Sequence, residues 1–185
     1  YIRTGLEQDG NIRTMSMWVN YKQFGERGRD QLSGVRNGPY LGYWKASTRD
    51  EFNFRFGTSS ASLKIEVTDQ GDRIDLNKWH MVTMTATEND QGSYTINGYV
   101  DGVKVNEEYY SYSTTAPYDG KNSNLYISNQ DLWIGATNNN GAPFGQLDAF
   151  VDNVRIYDRP LSDSQVTELY NLEKKSGIPA PSSTP

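Results

Sequence analysis

Apolar and polar residues alternate in short runs along most of this chain, the period of a strand with one wet face. Met15, Met17 and Val19 alternate with Ser16, Trp18 and Asn20. Phe52, Phe54 and Phe56 alternate with Asn53 and Arg55, and Leu63, Ile65 and Val67 form a further run. Val82, Met84 and Ala86 share one face of Trp79–Thr87. Leu132 and Ile134 flank Trp133, while Phe150, Asp152, Val154 and Ile156 recur at every second position. Asp101-Gly102, between Tyr99-Val100 and Val103, is a two-residue hairpin signal. Gly34, Gly38, Pro39 and Gly42 mark a turn entering a strand, and Asn138-Asn139-Asn140-Gly141 reads as a loop. Tyr109–Tyr126, rich in Tyr, Ser, Thr and Asn, reads as a long decorated loop or a pair of short strands. Alternation rather than solid apolar runs predicts antiparallel sheets, and the spacing of the strands predicts a β-sandwich.

The pattern changes once, near the end. Ser162 is a good N-cap and Gln165, three positions on, completes a capping box. Leu161 can staple onto Val166, and Val166, Leu169 and Tyr170 form one apolar stripe, so one short helix follows the last strand. Beyond Lys175, Gly177, Pro179, Pro181 and Pro185 stand among Ser and Thr, the composition of a flexible linker. The expected division is a domain over 1–175 and a tail over 176–185.

Composition narrows the function. A chain of 185 residues suits one domain with a real core. No apolar run approaches the ~20 residues that span a bilayer, so no membrane insertion is expected. There is no cysteine, which excludes disulfides and thiolate metal sites. The net charge is −5; residues 1–55 hold nine Lys/Arg against six Asp/Glu, and the remainder nine against seventeen. No basic cluster has the density of a nucleic-acid footprint.

Four segments resemble one family. MSMWVNY (Met15–Tyr21) resembles its early strand, WHMVTMTAT (Trp79–Thr87) its central strand, and YVDGVKV (Tyr99–Val105) its hairpin. LWIG (Leu132–Gly135), followed by LDAFVDNVRIYDRPLSDSQVTELY, is similar to its closing strand and helix. The family is the LamG-like jelly roll of the concanavalin A-like lectin/glucanase superfamily, and the likeness runs from about Tyr1 to Tyr170. It implies an all-β, two-sheet antiparallel jelly-roll sandwich with one short C-terminal helix. It further implies a structural calcium, a glycan-binding role, and an extracellular or cell-surface setting beside other domains of a larger protein.

Hydrolases of the laminarinase type in this superfamily carry Glu-x-Asp-x-x-Glu on one strand, which puts the carboxylates on one face. Glu7-x-Asp9 begins that pattern, but Ile12 takes the final Glu position, and Glu66 is followed two positions later by Thr68, not Asp. The motif is absent and no enzyme is expected. His80 has no nucleophile motif beside it and reads as a histidine at a strand start.

Calcium takes six to eight oxygens. Asp148 and Asp152 share a face but lie roughly 13 Å apart on a regular strand, too far to hold one ion together without a bulge. The resemblance favours Asp152, with Glu7 or Asp9 from the first loop. For sugars, the candidates are stacking rings and planar polar groups. Trp133 points away from the face that Leu132 and Ile134 bury, so it is expected as an exposed platform. Tyr40, Tyr43 and Trp44 follow a Gly-Pro turn near Arg36, and Asn138 and Asn139 offer amides. Trp18 and Trp79 are expected in the core. The expected function is a non-catalytic module recognising a glycan or glycosylated surface; the other class is a structural or protein-interaction domain.

Overall fold

The computed structural model describes residues 1–8, 12–23, 30–35, 40–45, 50–55, 62–66, 74–88, 94–104, 109–110, 117–118 and 128–175. The strands are β1 (Ile2–Gln8), β2 (Thr14–Tyr21), β3 (Asp30–Val35), β4 (Tyr40–Lys45), β5 (Asp50–Arg55), β6 (Ser62–Glu66), β7 (His80–Glu88) and β8 (Tyr94–Val100). They continue as β9 (Val103–Lys104), β10 (Tyr109–Tyr110), β11 (Pro117–Tyr118), β12 (Ser128–Ile134), β13 (Thr137–Asn139), β14 (Ala142–Phe144) and β15 (Ala149–Tyr157). One helix, α1 (Asp163–Lys175), closes the described chain.

Two sheets result. The larger runs β1-β12-β3-β4-β5-β6-β10-β11, with the β13–β14 hairpin attached through β3; the smaller runs β15-β2-β7-β8-β9. Among the described residues, every pairing is antiparallel except that of β13 with β3. The core lies between the sheets. Met15, Met17, Val19 and Tyr21 from β2, with Val82, Met84 and Ala86 from β7, meet Leu32, Leu41, Tyr43, Leu132 and Ile134 from the larger sheet. Met15, Met17, Val19, Val82, Met84, Ala86, Leu132 and Ile134 are alternate positions the sequence pattern selects, because successive side chains of a strand point to opposite faces.

The polar residues between them are buried too. Thr14, Ser16, Trp18 and Asn20 occupy the outer face of the smaller sheet, yet none is more than 3% exposed. The helix and its approach pack there. Trp18, Met81, Tyr99, Leu161 and Val166 form a second core, with Trp79, Leu169 and Tyr170 against it. Both expected core tryptophans are therefore in this cluster, Trp79 half-buried. Thr14 Oγ1 donates to Arg159 O (2.9 Å) and accepts from Leu161 N (3.0 Å), which fixes the chain entering the helix. The capping box forms: Gln165 N donates to Ser162 Oγ (3.3 Å), and Ser162 N donates to Gln165 Oε1 (3.0 Å).

Two local expectations change and one pair of alternatives is decided. Asn138-Asn139-Asn140-Gly141 is a hairpin, not a loop: Asn140 (φ 53°) and Gly141 (φ 86°) turn β13 into β14. Asn-Gly is among the strongest signals for that turn. Of the alternatives for Tyr109–Tyr126, the described residues form the pair of short strands, β10 and β11. In β15 the even-numbered row is broken. Asp152 pairs with Trp18 but Arg155 pairs with Ser16, so Asn153 and Val154 both stand against Met17. Asn153 has φ 47°, the left-handed residue of a bulge. Before it, Leu147, Ala149 and Val151 turn to the core; after it, Ile156 does, while Phe150 and Val154 are exposed. The 176–185 tail lies outside the described residues.

Candidate ligand-binding face

The register of the larger sheet decides which aromatic positions share a surface. Trp133 pairs with Arg3 on one side and Gly34 on the other, Gly34 pairs with Tyr40, and Tyr40 with Arg55. Directly paired residues of antiparallel strands stand on one face. Leu132, Ile134 and Leu41, their chain neighbours, are in the core, so this rung is on the outer face. The rung one alternation away runs Gln31, Gly42, Asn53, Lys64, and the next runs Trp44, Glu51, Glu66. Trp133, Tyr40 and Trp44 thus occupy positions on one outer surface, with Gly34 and Gly42 between them.

Tyr43 is corrected. It is 1% exposed and part of the main core, because it stands one residue out of phase with Tyr40 and Trp44. Asn138 is corrected as well. It is 5% exposed; its Nδ2 donates to Asp131 O in β12 (2.9 Å) and its Oδ1 accepts from Gly141 N (2.8 Å), so its amide is spent on β12 and on the turn of its own hairpin. Asn139, half-buried, is in β13 on the strand paired with Ala142. Trp133 is on the expected face but is not an exposed platform. It is 2% exposed, beneath the Tyr1 ring and the Arg3 guanidinium. Arg36 and Asp9 lie outside the described residues, as do the side chains of Glu7, Tyr40 and Trp44.

Of the acidic candidates, the described side chains of Asp148 and Asp152 do not come together. Asp152 is half-buried, and its Oδ1 accepts from Asn153 N at 2.7 Å, holding the bulge. Asp148 is exposed and its Oδ2 accepts from Gln23 Nε2 at 3.1 Å. The bulge follows Asp152, so it does not bring Asp148 closer. Among the described residues, no three acidic or histidine side chains converge.

His80 is where the sequence puts it, at the start of β7, and both ring nitrogens are hydrogen-bonded. Asp75 N donates to Nε2 (3.0 Å), so the ring proton is on Nδ1 and is donated to Asp101 Oδ2 (2.8 Å). Asp101 Oδ1 in turn accepts from Met81 N (2.9 Å) and Asp101 begins the β8–β9 turn at φ 52°. Lys78 Nζ bonded to Asp75 Oδ2 at 2.5 Å holds the Asp75 carboxyl below the usual carboxylate range.

The polar positions beside the aromatics, Gln31, Asn53, Arg55 and Lys64, were not singled out by sequence. The alternation around Phe52 and Phe54 marks Asn53 and Arg55 as opposite to the core. Nothing local says that this opposite face is the one bearing Trp133.

The architecture is that of a two-sheet jelly-roll domain with a helix on the smaller sheet. A family model described as concanavalin A-like lectin/glucanases superfamily matches residues 3–167, and the chain belongs to that superfamily. No curated protein sequence matches it. Among solved structures, it is similar to a Trypanosoma rangeli sialidase in complex with sialic acid, with TM-score 0.57 and 19% identity. That match covers 92% of this chain and 24% of the sialidase. The botulinum neurotoxin type G receptor binding domain matches with TM-score 0.51 and 15% identity over 88% of this chain and 38% of that one. Domain 4 of AbnA, an extracellular arabinanase from Geobacillus stearothermophilus in complex with arabinotriose, matches with TM-score 0.50 and 16% identity. That match covers 86% of this chain and 66% of the other. At these identities the likeness shows the fold, and this chain spans less than two thirds of each of these neighbours.

Proposed function

We propose that this domain is a non-catalytic carbohydrate-binding module of a larger extracellular or cell-surface protein, and that it binds through the outer face of its larger sheet. The observation that carries the reading is the register that lines up Trp133, Gly34 and Tyr40 in one rung and sets Trp44 on the same surface. Aromatic rings present flat apolar surface to the apolar face of a sugar, while side-chain amides and guanidinium groups hydrogen-bond its hydroxyls. A glycan or a glycosylated surface is the partner this arrangement suits. The complex of the arabinanase domain with arabinotriose is a sugar complex of a domain that shares the fold, and it supports the same reading.

The test is a glycan array followed by calorimetry on the tightest hit. Trp44→Ala is expected to weaken binding at least tenfold with an unchanged melting temperature. An array that stays clean, with the protein shown to be folded, rejects the reading.

A further inference from the structure

Trp133 stands on the outer face and is nevertheless only 2% exposed. The start of β1 lies over it. The Tyr1 ring stacks on the indole with centroids 4.8 Å apart and planes 16° apart, and the Arg3 guanidinium is 4.8 Å from the ring centroid. Beneath them, Trp133 Nε1 is buried without a hydrogen-bond partner. The indole of Trp18, by contrast, is satisfied by Glu173. The overlying residues belong to an edge strand, anchored by Thr4 Oγ1 donating to Leu132 O at 2.6 Å. β1 is at the sheet edge with β12 as its one described neighbour, and its register shifts twice along its length. Tyr1 is 53% exposed, Ile2 66% and Leu6 44%. Gly5 sits at φ 69° with nothing within 4 Å of the place a Cβ would take.

We propose that the Trp133 indole is a stacking subsite for a pyranose ring, closed within the chain by the Tyr1 ring and opened when a ligand displaces it. This rests on the carbohydrate-binding reading of the face. A pyranose and a phenol ring would bury the same indole surface, so the two are mutually exclusive. Trp133 is on the rung of Gly34 and Tyr40, so a sugar ring placed there continues along the rest of the face. A sugar oxygen at the indole edge would also supply the acceptor that Nε1 lacks, and a buried donor without one is costly.

Tyr1→Ala and Tyr1→Phe, each with and without Trp133→Phe, test this. Acrylamide quenching of tryptophan fluorescence reads exposure, and the Trp133→Phe background assigns the signal. In Tyr1→Ala, Trp133 is expected to become quenchable. The affinity for the tightest array hit is expected to rise about 2- to 12-fold, the factor an aromatic pair is worth. Tyr1→Phe should behave like the parent, and Trp133→Phe should remove the gain. Trp133 that stays shielded in Tyr1→Ala overturns the proposal, as does unchanged or weaker binding of the glycan. If no glycan binds any variant while quenching rises in Tyr1→Ala, the carbohydrate reading of the face fails and the subsite with it. If binding is present but indifferent to Tyr1, the subsite alone fails.

Discussion

The indole N–H of Trp18 donates to Glu173 at 2.6 Å, joining the centre of the smaller sheet to the last turns of the helix. Glu173 is 5% exposed, and its other oxygen accepts from Arg155 Nε on β15. That bond raises the Arg155 pKa above its ordinary value. One buried carboxylate thus ties together an interior strand, an edge strand and the helix. Glu173→Ala leaves a buried indole N–H unpaired and removes the acceptor of a half-exposed guanidinium. Unpaired buried donors cost about 1–3 kcal/mol. The exposed side of Arg155 is rehydrated, which limits the ion-pair part. The expected loss is about 2 kcal/mol in urea unfolding, and Glu173→Gln should recover part of it. A loss under 0.5 kcal/mol would mean the helix is held by its apolar stripe alone.

Two glycines at turns separate backbone strain from packing. Gly102 has φ 76°, and a Cβ built on it would stand 2.9 Å from Tyr170 Cβ in the helix. Gly141 has φ 86° with nothing within 4 Å. Left-handed backbone costs a non-glycine residue about 1–2 kcal/mol. Gly141→Ala is expected to lose about that much. Gly102→Ala should lose more, because the helix must shift as well. Equal losses in thermal unfolding would show that the helix does not press on the β8–β9 turn.

Asp152 is expected to act on its bulge. Asp152→Ala removes the acceptor of Asn153 N and should cost about 1 kcal/mol, the typical worth of such a bond. Measured with and without excess chelator, the cost should be the same. A cost that vanishes in chelator would assign the carboxylate to a bound cation instead.

The rung through Trp44 sets Glu51 opposite Glu66 on the proposed binding face. Paired carboxylates are the machinery of glycoside hydrolysis, so this is where a hydrolase would show itself. Incubation with the array's tightest ligand is expected to release no reducing sugar. Release that is lost in Glu51→Gln would replace the binding reading with an enzymatic one.

Much of the fold was legible because its signals are local. The Asp101-Gly102 hairpin, the Ser162–Gln165 capping box and the alternation of Met15, Met17 and Val19 each depend on a few neighbouring residues. The site was legible only as a set of residue types. Tyr40, Tyr43 and Trp44 look alike in sequence. Tyr43 differs by phase alone, and a phase has a meaning only once a partner strand fixes which face is inside.

The sequence by itself determined the family, the period of the strands, the helix and its cap, since these follow from dihedral preference and side-chain alternation. It also determined that the acidic closing segment is a strand entering a helix. Tertiary structure alone decided the rest. Pairing of β12 with β3, and of β3 with β4, put Trp133 and the Tyr40 position on one surface. A one-residue bulge at Asn153 switched the inward row of β15. Tyr1, 132 positions from Trp133 in the chain, closed over the ring that alternation had left outside. Contacts between distant segments depend on register and edge order, which local periodicity does not encode.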